Sequence, residues 1–224
     1  MTEPDTAIRP APVPTALACV AALALFPLAR LAVPDWAHAA DGPLLLHEAL
    51  QFALALALLG AAFKLARWPP ADLGLRRPTL ATLGWGLAGG LAVVLAGTLT
   101  IAAVRLSGIT QPTAMLAALA SRPPAIVLAI AFTAAVSEEI AFRAVLVTHL
   151  ARLTGRFWLG ALLSIVAFAA GHATGWGPVQ VLLTLPAGIV LTALFAWRRD
   201  LGACVIAHFL TDALGLLSYG HGHG

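Results

Sequence analysis

Six ionisable residues in the second half of the chain stand where few are expected: Glu138, Glu139, Arg143, His172, His208 and Asp212. Each lies inside or at the end of an apolar run. An ionisable group at the centre of a bilayer costs ~2.5–3.5 kcal/mol on insertion scales, so those retained there are usually paired or functional. Helical spacing sorts their roles. Glu139 and Arg143 are four residues apart, one turn along the same face, which suits an ion pair. On a regular helix Glu138 is turned by ~100° from Glu139, so it can point into a bundle while its neighbour is held. His208 and Asp212 are again four apart. His172 sits in FAAGHATGWG, where Gly171, Gly175 and Gly177 are expected to let the backbone open around it.

One carboxylate with two imidazoles and a supporting carboxylate suits hydrolysis by either of two routes. A glutamate in a poorly solvated pocket can act as general base toward water, with the histidines holding that water or donating to a developing oxyanion. Alternatively, Glu138, His172 and His208 bind a divalent metal such as zinc that activates the water. Pairing that only joins helices is worth ~0.6 kcal/mol on average in membranes. Six such groups in three helices are more than that role needs.

The elements that must position these residues follow from composition. Of 224 residues, 60% are hydrophobic and 10% charged, too little polar surface for a soluble domain of this size. The expected fold is an all-α, polytopic membrane helical bundle of about seven transmembrane helices, with six to eight compatible with the pattern. The spans are residues 15–33, 44–66, 80–104, 124–147, 157–173, 179–197 and 201–218, most near the ~20 residues that cross a bilayer. The chain divides into a disordered tail (1–14), two N-terminal helices (15–70), a catalytic helical core (71–219) and a polar tail (220–224). AHAA at 37–40 resembles a signal-peptidase site, but the preceding run is long for a signal and its leading charge is weak, so helix one is expected to be retained.

Lys64, Arg67, Arg76 and Arg77, then Arg152 and Arg156, then Arg198 and Arg199 fall in alternate loops. A cytoplasmic N-terminus puts all these basic clusters inside. Counting from them, His208 lies ~10–12 Å deep, Glu138 ~20 Å and His172 slightly deeper. These depths agree only if helix four tilts or extends beyond the membrane. No comparable cluster marks the first three spans. His47 and Glu48 are expected at the start of helix two on the outer side, and His149 at the cytoplasmic interface. Trp36, Trp68, Trp158, Trp176 and Trp197 lie near span ends, as an interfacial belt would. HGHG at the end reads as a solvated tail. The net charge of +3 is small, and no nucleic-acid partner is expected. Cys19 and Cys204 lie in apolar runs and read as small hydrophobes rather than a disulfide framework.

EEIAFR (138–143), FAAGH (168–172) and HFLTD (208–212), in that order on apolar spans, resemble the three motifs of the CPBP intramembrane proteases, the Abi or CAAX-protease-like family. ALFAWRRDLGACVIAHFLTDALG resembles the family's last two helices, and ADLGLRRP (71–78) its loop before the third span. The resemblance extends over about residues 71–218. It implies a glutamic-type endopeptidase acting inside the bilayer. Glu138 would activate water, His172, His208 and Asp212 would complete the site and support the oxyanion, and Glu139 and Arg143 would be the supporting pair. It implies no cofactor. A divalent metal held by Glu138, His172 and His208 is the alternative, kept open by Asp212, which stands where many members have Asn.

The substrate implied is a membrane-anchored protein, cut near its C-terminal membrane segment in a bacterial inner membrane; nothing in the sequence bears on oligomeric state. Two rival readings remain. Cys204, His208 and Asp212 share one helical face and suggest a cysteine-type peptidase or transpeptidase, which leaves both glutamates unexplained. A proton-coupled transporter or membrane scaffold would use the cluster as a relay, though the halves show no inverted repeat.

Overall fold

Pro123 and Pro124 open the longest helix of the molecule. Pro124 occupies its first turn, where a missing N–H breaks no hydrogen bond, and Gly155, in the left-handed region, ends it. The computed structural model describes residues 12–33 and 35–223. Among these the chain is wholly helical in its regular structure: α1 (Pro12–Ala32), α2 (Asp41–Lys64), α3 (Leu80–Leu106), α4 (Ala114–Ala120), α5 (Pro124–Glu138), a π-helical segment (Glu139–Val147), α6 (Thr148–Thr154), α7 (Phe157–Trp176), α8 (Val179–Arg198) and α9 (Leu201–His223).

Among the described residues, six apolar helices are long enough to cross a bilayer, and the run Phe157–Ala173 of α7 is a shorter seventh. The expected polytopic bundle is therefore present. Its outer surface is that of a membrane protein: Leu83, Leu87, Leu91, Leu95 and Leu99 form an exposed stripe at four-residue spacing on α3. The opposite face of α3 carries glycines. A Cβ at Gly86 would lie 2.6 Å from Ile206 and 3.2 Å from the Ala203 carbonyl, so glycine lets α3 and α9 approach closely, as small residues do between membrane helices.

α5, the π segment and α6 form one continuous helix of 31 residues, ~45 Å at regular helical rise against a ~30 Å core. It must tilt or project, which removes the mismatch in depth that sequence counting gives. Within it the Glu139–Val147 stretch, 9 residues that are all buried, is π-helical, a local geometry found mostly at functional sites. Ser164 on α7 donates to the Phe142 carbonyl at 2.8 Å, giving this widened turn a partner from outside the helix.

The ADLGLRRP loop is fixed to the turn between α8 and α9. Leu201 N donates to Gly74 O at 2.8 Å. Gly74 has φ +76°, and a Cβ there would collide with Phe195 at 2.6 Å. Asp200 joins the same corner: one oxygen accepts from the Ala203 backbone (3.2 Å) at the start of α9, the other from the Thr82 hydroxyl (2.7 Å) at the start of α3. This corner sets the height and rotation of α9, and so of His208 and Asp212.

Several boundaries differ from those read in the sequence. α1 begins at Pro12, inside the segment read as a tail, of which residues 1–11 lie outside the described residues. α4 is an unforeseen short helix. α7 does not open around His172 but continues to Trp176, and Gly177 ends it with φ +87°. α9 extends helically to His223, with His221, in the segment read as a solvated tail, exposed. Trp158 and Trp197 are exposed as expected of a belt, but Trp68 turns inward onto His149. His149 is buried, and its Nδ1 donates to Val145 O at 2.7 Å.

Candidate functional site

The end of α5 carries Glu138, and the π segment begins with Glu139. Arg143 donates to Glu139 Oε1 at 2.6 Å, both side chains being fully buried, so the pair expected from their spacing exists. Charge is not all that holds the arginine. Its guanidinium lies 4.4 Å from the centre of the Phe168 ring on α7, a cation–π contact that gains strength from burial. Nε and Nη2 of Arg143 make no hydrogen bond among the described residues.

α9 brings His208 against both glutamates. Nδ1 of His208 donates to Glu139 Oε1 at 2.8 Å, while Nε2 lies 3.8 Å from Glu138 Oε2 and 3.3 Å from Asp212 Oδ2. Glu139 is thus shared between Arg143 and His208, a second bond that helical phase alone does not show. α7 presents His172 from the other side. Its Nδ1 donates to the Phe168 carbonyl at 2.8 Å, and its Nε2 lies 4.0 Å from the same oxygen of Glu138. Phe168, the first residue of FAAGH, also stands against the His172 ring at 4.9 Å and the Phe142 ring at 5.2 Å. Beyond its place in the motif, Phe168 is a packing wedge against both Arg143 and His172.

The four residues expected to form the site therefore meet. Two imidazole Nε2 atoms face one oxygen of Glu138, and their Nδ1 atoms are occupied by a backbone carbonyl and a carboxylate. That oxygen, Glu138 Oε2, is buried and makes no hydrogen bond among the described residues. Separations of 3.8 and 4.0 Å exceed a direct hydrogen bond but suit a bridging water.

A metal centre needs its donor atoms closer together than these residues bring them. Among the described residues, no three His, Cys, Asp or Glu side chains gather closely enough to hold a metal ion. Ligands of a tetrahedral zinc with bonds of ~2.0–2.1 Å lie ~3.3 Å apart, and the two imidazole–carboxylate separations are wider. As they stand, Glu138, His172 and His208 do not form that ligand set.

Glu138, His172, His208 and Asp212 line a cavity of about 350 Å³ that also reaches the N-terminal helices. Arg30 of α1 and His47, Glu48 and Gln51 of α2 line it too. This corrects the expectation that the first three spans hold no polar cluster: His47 and Glu48, near the start of α2, are 2% and 4% exposed. Leu44, His47, Gln51, Ala55, Leu58 and Ala62 are buried along α2, a helical stripe that the spacing already contained. Arg122 secures the loop above them, donating to Asp41 (2.8 Å) and to the carbonyls of Ala37 (3.2 Å) and Ala39 (2.6 Å).

Cys204 shares the inner side of α9 but does not line this cavity. It is fully buried, with Sγ 3.7 Å from the Leu191 carbonyl.

Residues 120–214 match the family model of the Rce1-like type II CAAX prenyl endopeptidases. The matched segment contains all three motifs, with His172, His208 and Asp212; α1, whose Arg30 lines the cavity beside Glu138, and α2 lie outside it. Neither the curated proteins nor the solved structures give a significant match.

Proposed function

Taking as premise that the segment 120–214 is of the Rce1-like CAAX endopeptidase family, we propose that this integral membrane protein is a glutamic-type intramembrane endopeptidase. It hydrolyses a peptide bond near the C-terminal membrane segment of a membrane-anchored protein, in a bacterial inner membrane with the N-terminus cytoplasmic. The observation that carries the reading is the isolated Glu138 oxygen with an imidazole Nε2 on either side, 3.8 and 4.0 Å away, in a cavity within the bundle.

The chemistry follows from those atoms. Glu138 accepts a proton from a water as the water oxygen attacks the peptide carbonyl carbon. His172, fixed through Nδ1 by the Phe168 carbonyl, holds that water at Nε2. The carbonyl oxygen becomes an oxyanion, and His208 donates to it from Nε2. A ring that donates there while its Nδ1–H stays on Glu139 is an imidazolium, and Glu139 and Asp212 supply its counter-charges. When the carbon–nitrogen bond breaks, the proton on Glu138 passes to the leaving amine. The products are a new carboxylate and a new amine, and no step passes through a metal ion.

Comparing the membrane proteomes of cells carrying the wild type and Glu138→Ala tests this in place. The variant should accumulate precursors with intact C-terminal segments. Identical termini in both cells would contradict the reading.

A further inference from the structure

The cavity has a second polar wall, built by helices outside the family match. His47 is 2% exposed, and its Nδ1 donates to Glu48 Oε1 at 3.2 Å. The other Glu48 oxygen accepts from the Thr133 hydroxyl of α5. Trp36 lies flat against the His47 ring, 4.3 Å away with planes 4° apart. Carboxylate and indole together fix the orientation and tautomer of this imidazole, as a paired carboxylate does for a working histidine. What they leave over is Nε2. That atom is buried and has no hydrogen-bond partner among the described residues, although the residue lines the cavity. An unsatisfied buried polar atom is destabilising, and nothing in helix packing requires this one. Gln51, 7% exposed and about one turn further along α2, lines the same wall.

We propose that this wall is a substrate-recognition subsite, in which Nε2 of His47 accepts a hydrogen bond from a main-chain N–H of the peptide being cleaved. Because Nδ1 carries the hydrogen given to Glu48, Nε2 presents a lone pair, so the group it takes is a donor. Distance sets which donor. Thr133, which anchors Glu48, precedes Glu138 by five positions, or ~7–8 Å along a helix. An extended peptide advances ~3.3–3.6 Å per residue. The amide recognised therefore lies about two residues from the bond that is cut. Main-chain recognition at this point would hold a substrate extended across the bundle, and it would be supplied by α2 and the loop before it, the part of the chain that carries none of the three motifs. The inference rests on the endopeptidase reading above and extends it to how the peptide is held.

The test uses the full-length protein in proteoliposomes and a lipid-anchored nonapeptide library read by mass spectrometry. The best-cleaved member is remade with each amide N-methylated in turn. In the wild type, N-methylation of one amide about two residues from the cut should lower kcat/KM about tenfold, the scale of one lost hydrogen bond in a buried site. His47→Phe keeps the stack on Trp36 but removes the acceptor. It should cleave the parent peptide about tenfold less well and be indifferent to that methyl group, whereas His47→Gln, which keeps an acceptor oxygen, should remain sensitive. Glu138-dependent cleavage that His47→Phe leaves unchanged, or equal sensitivity of His47→Phe and wild type to every N-methyl peptide, overturns the subsite alone. So does a wild type blind to N-methylation within about three residues of the cut, whatever the folding of the variants. Absence of any Glu138-dependent cleavage defeats the endopeptidase reading and the subsite with it.

Discussion

His208 donates from Nδ1 to Glu139 Oε1 across 2.8 Å, joining α9 to the first residue of the π segment. That bond turns the histidine so that its other nitrogen faces Glu138. It also completes a chain from Phe168 through Arg143 and Glu139 to His208, all of it buried. In the proposed mechanism the second glutamate of the motif is a positioning residue that acts through His208.

Glu139→Ala should lose both stability and activity. Removing one partner of a buried ion pair leaves the Arg143 charge uncompensated, which costs about 3–5 kcal/mol in proteins generally. Unfolding in mixed micelles should show a loss of this order. Cleavage at a temperature where the variant remains folded should still be reduced, because His208 has lost its orienting bond. Full activity in the folded variant would argue against the positioning role.

Asp212 stands 3.3 Å from Nε2 of His208. Asp212→Asn keeps an oxygen at that distance but removes one counter-charge, whereas Asp212→Ala removes both. The expected order of kcat is wild type, then Asn within about tenfold, then Ala lower by a further factor of about ten, since hydrogen bonds to charged groups contribute ~1.5–3 kcal/mol. Steady-state kinetics on one peptide substrate would reveal the order.

Cys204→Ser should cleave at close to the wild-type rate, and a membrane-permeant alkylating reagent should leave the native thiol unmodified. Both follow from a side chain that is fully buried against the Leu191 carbonyl. Loss of activity in this variant, with the fold intact by gel filtration, would restore the cysteine-peptidase reading.

Strong chelators should leave Glu138-dependent cleavage unchanged, and elemental analysis of the purified active protein should find no stoichiometric zinc. A stoichiometric metal whose removal stops the reaction, and whose return restores it, would overturn the water-only mechanism.

Much of this site was legible before the fold was known. The spacing of Glu139 and Arg143 gave their ion pair, and the motif residues on α5, α7 and α9 do converge on Glu138 Oε2. The π segment was not legible, because nothing in EIAFRAVLV distinguishes it from an ordinary apolar helix. Its widened turn has support from Ser164, which is 22 positions from the carbonyl it binds. The His47–Glu48 wall was missed for a related reason. Its partner Thr133 is 85 positions away from Glu48, and a polar pair near a helix start looks like a surface feature until a second helix covers it. The stripe Leu44, Glu48, Gln51, Ala55, Leu58 and Ala62 was the available signal, since its period already turned those polar residues toward the core.

The most direct measurement is hydrolysis by the purified protein in proteoliposomes, wild type against Glu138→Gln, with new peptide termini quantified by mass spectrometry. Glutamine preserves the shape of the side chain but cannot take a proton from water, and losing a general base typically costs about 10²–10⁴ in rate. The wild type should generate new termini and the variant should be slower by at least a hundredfold, with unchanged folding. Equal rates from the two proteins would contradict the assignment of Glu138 as the base.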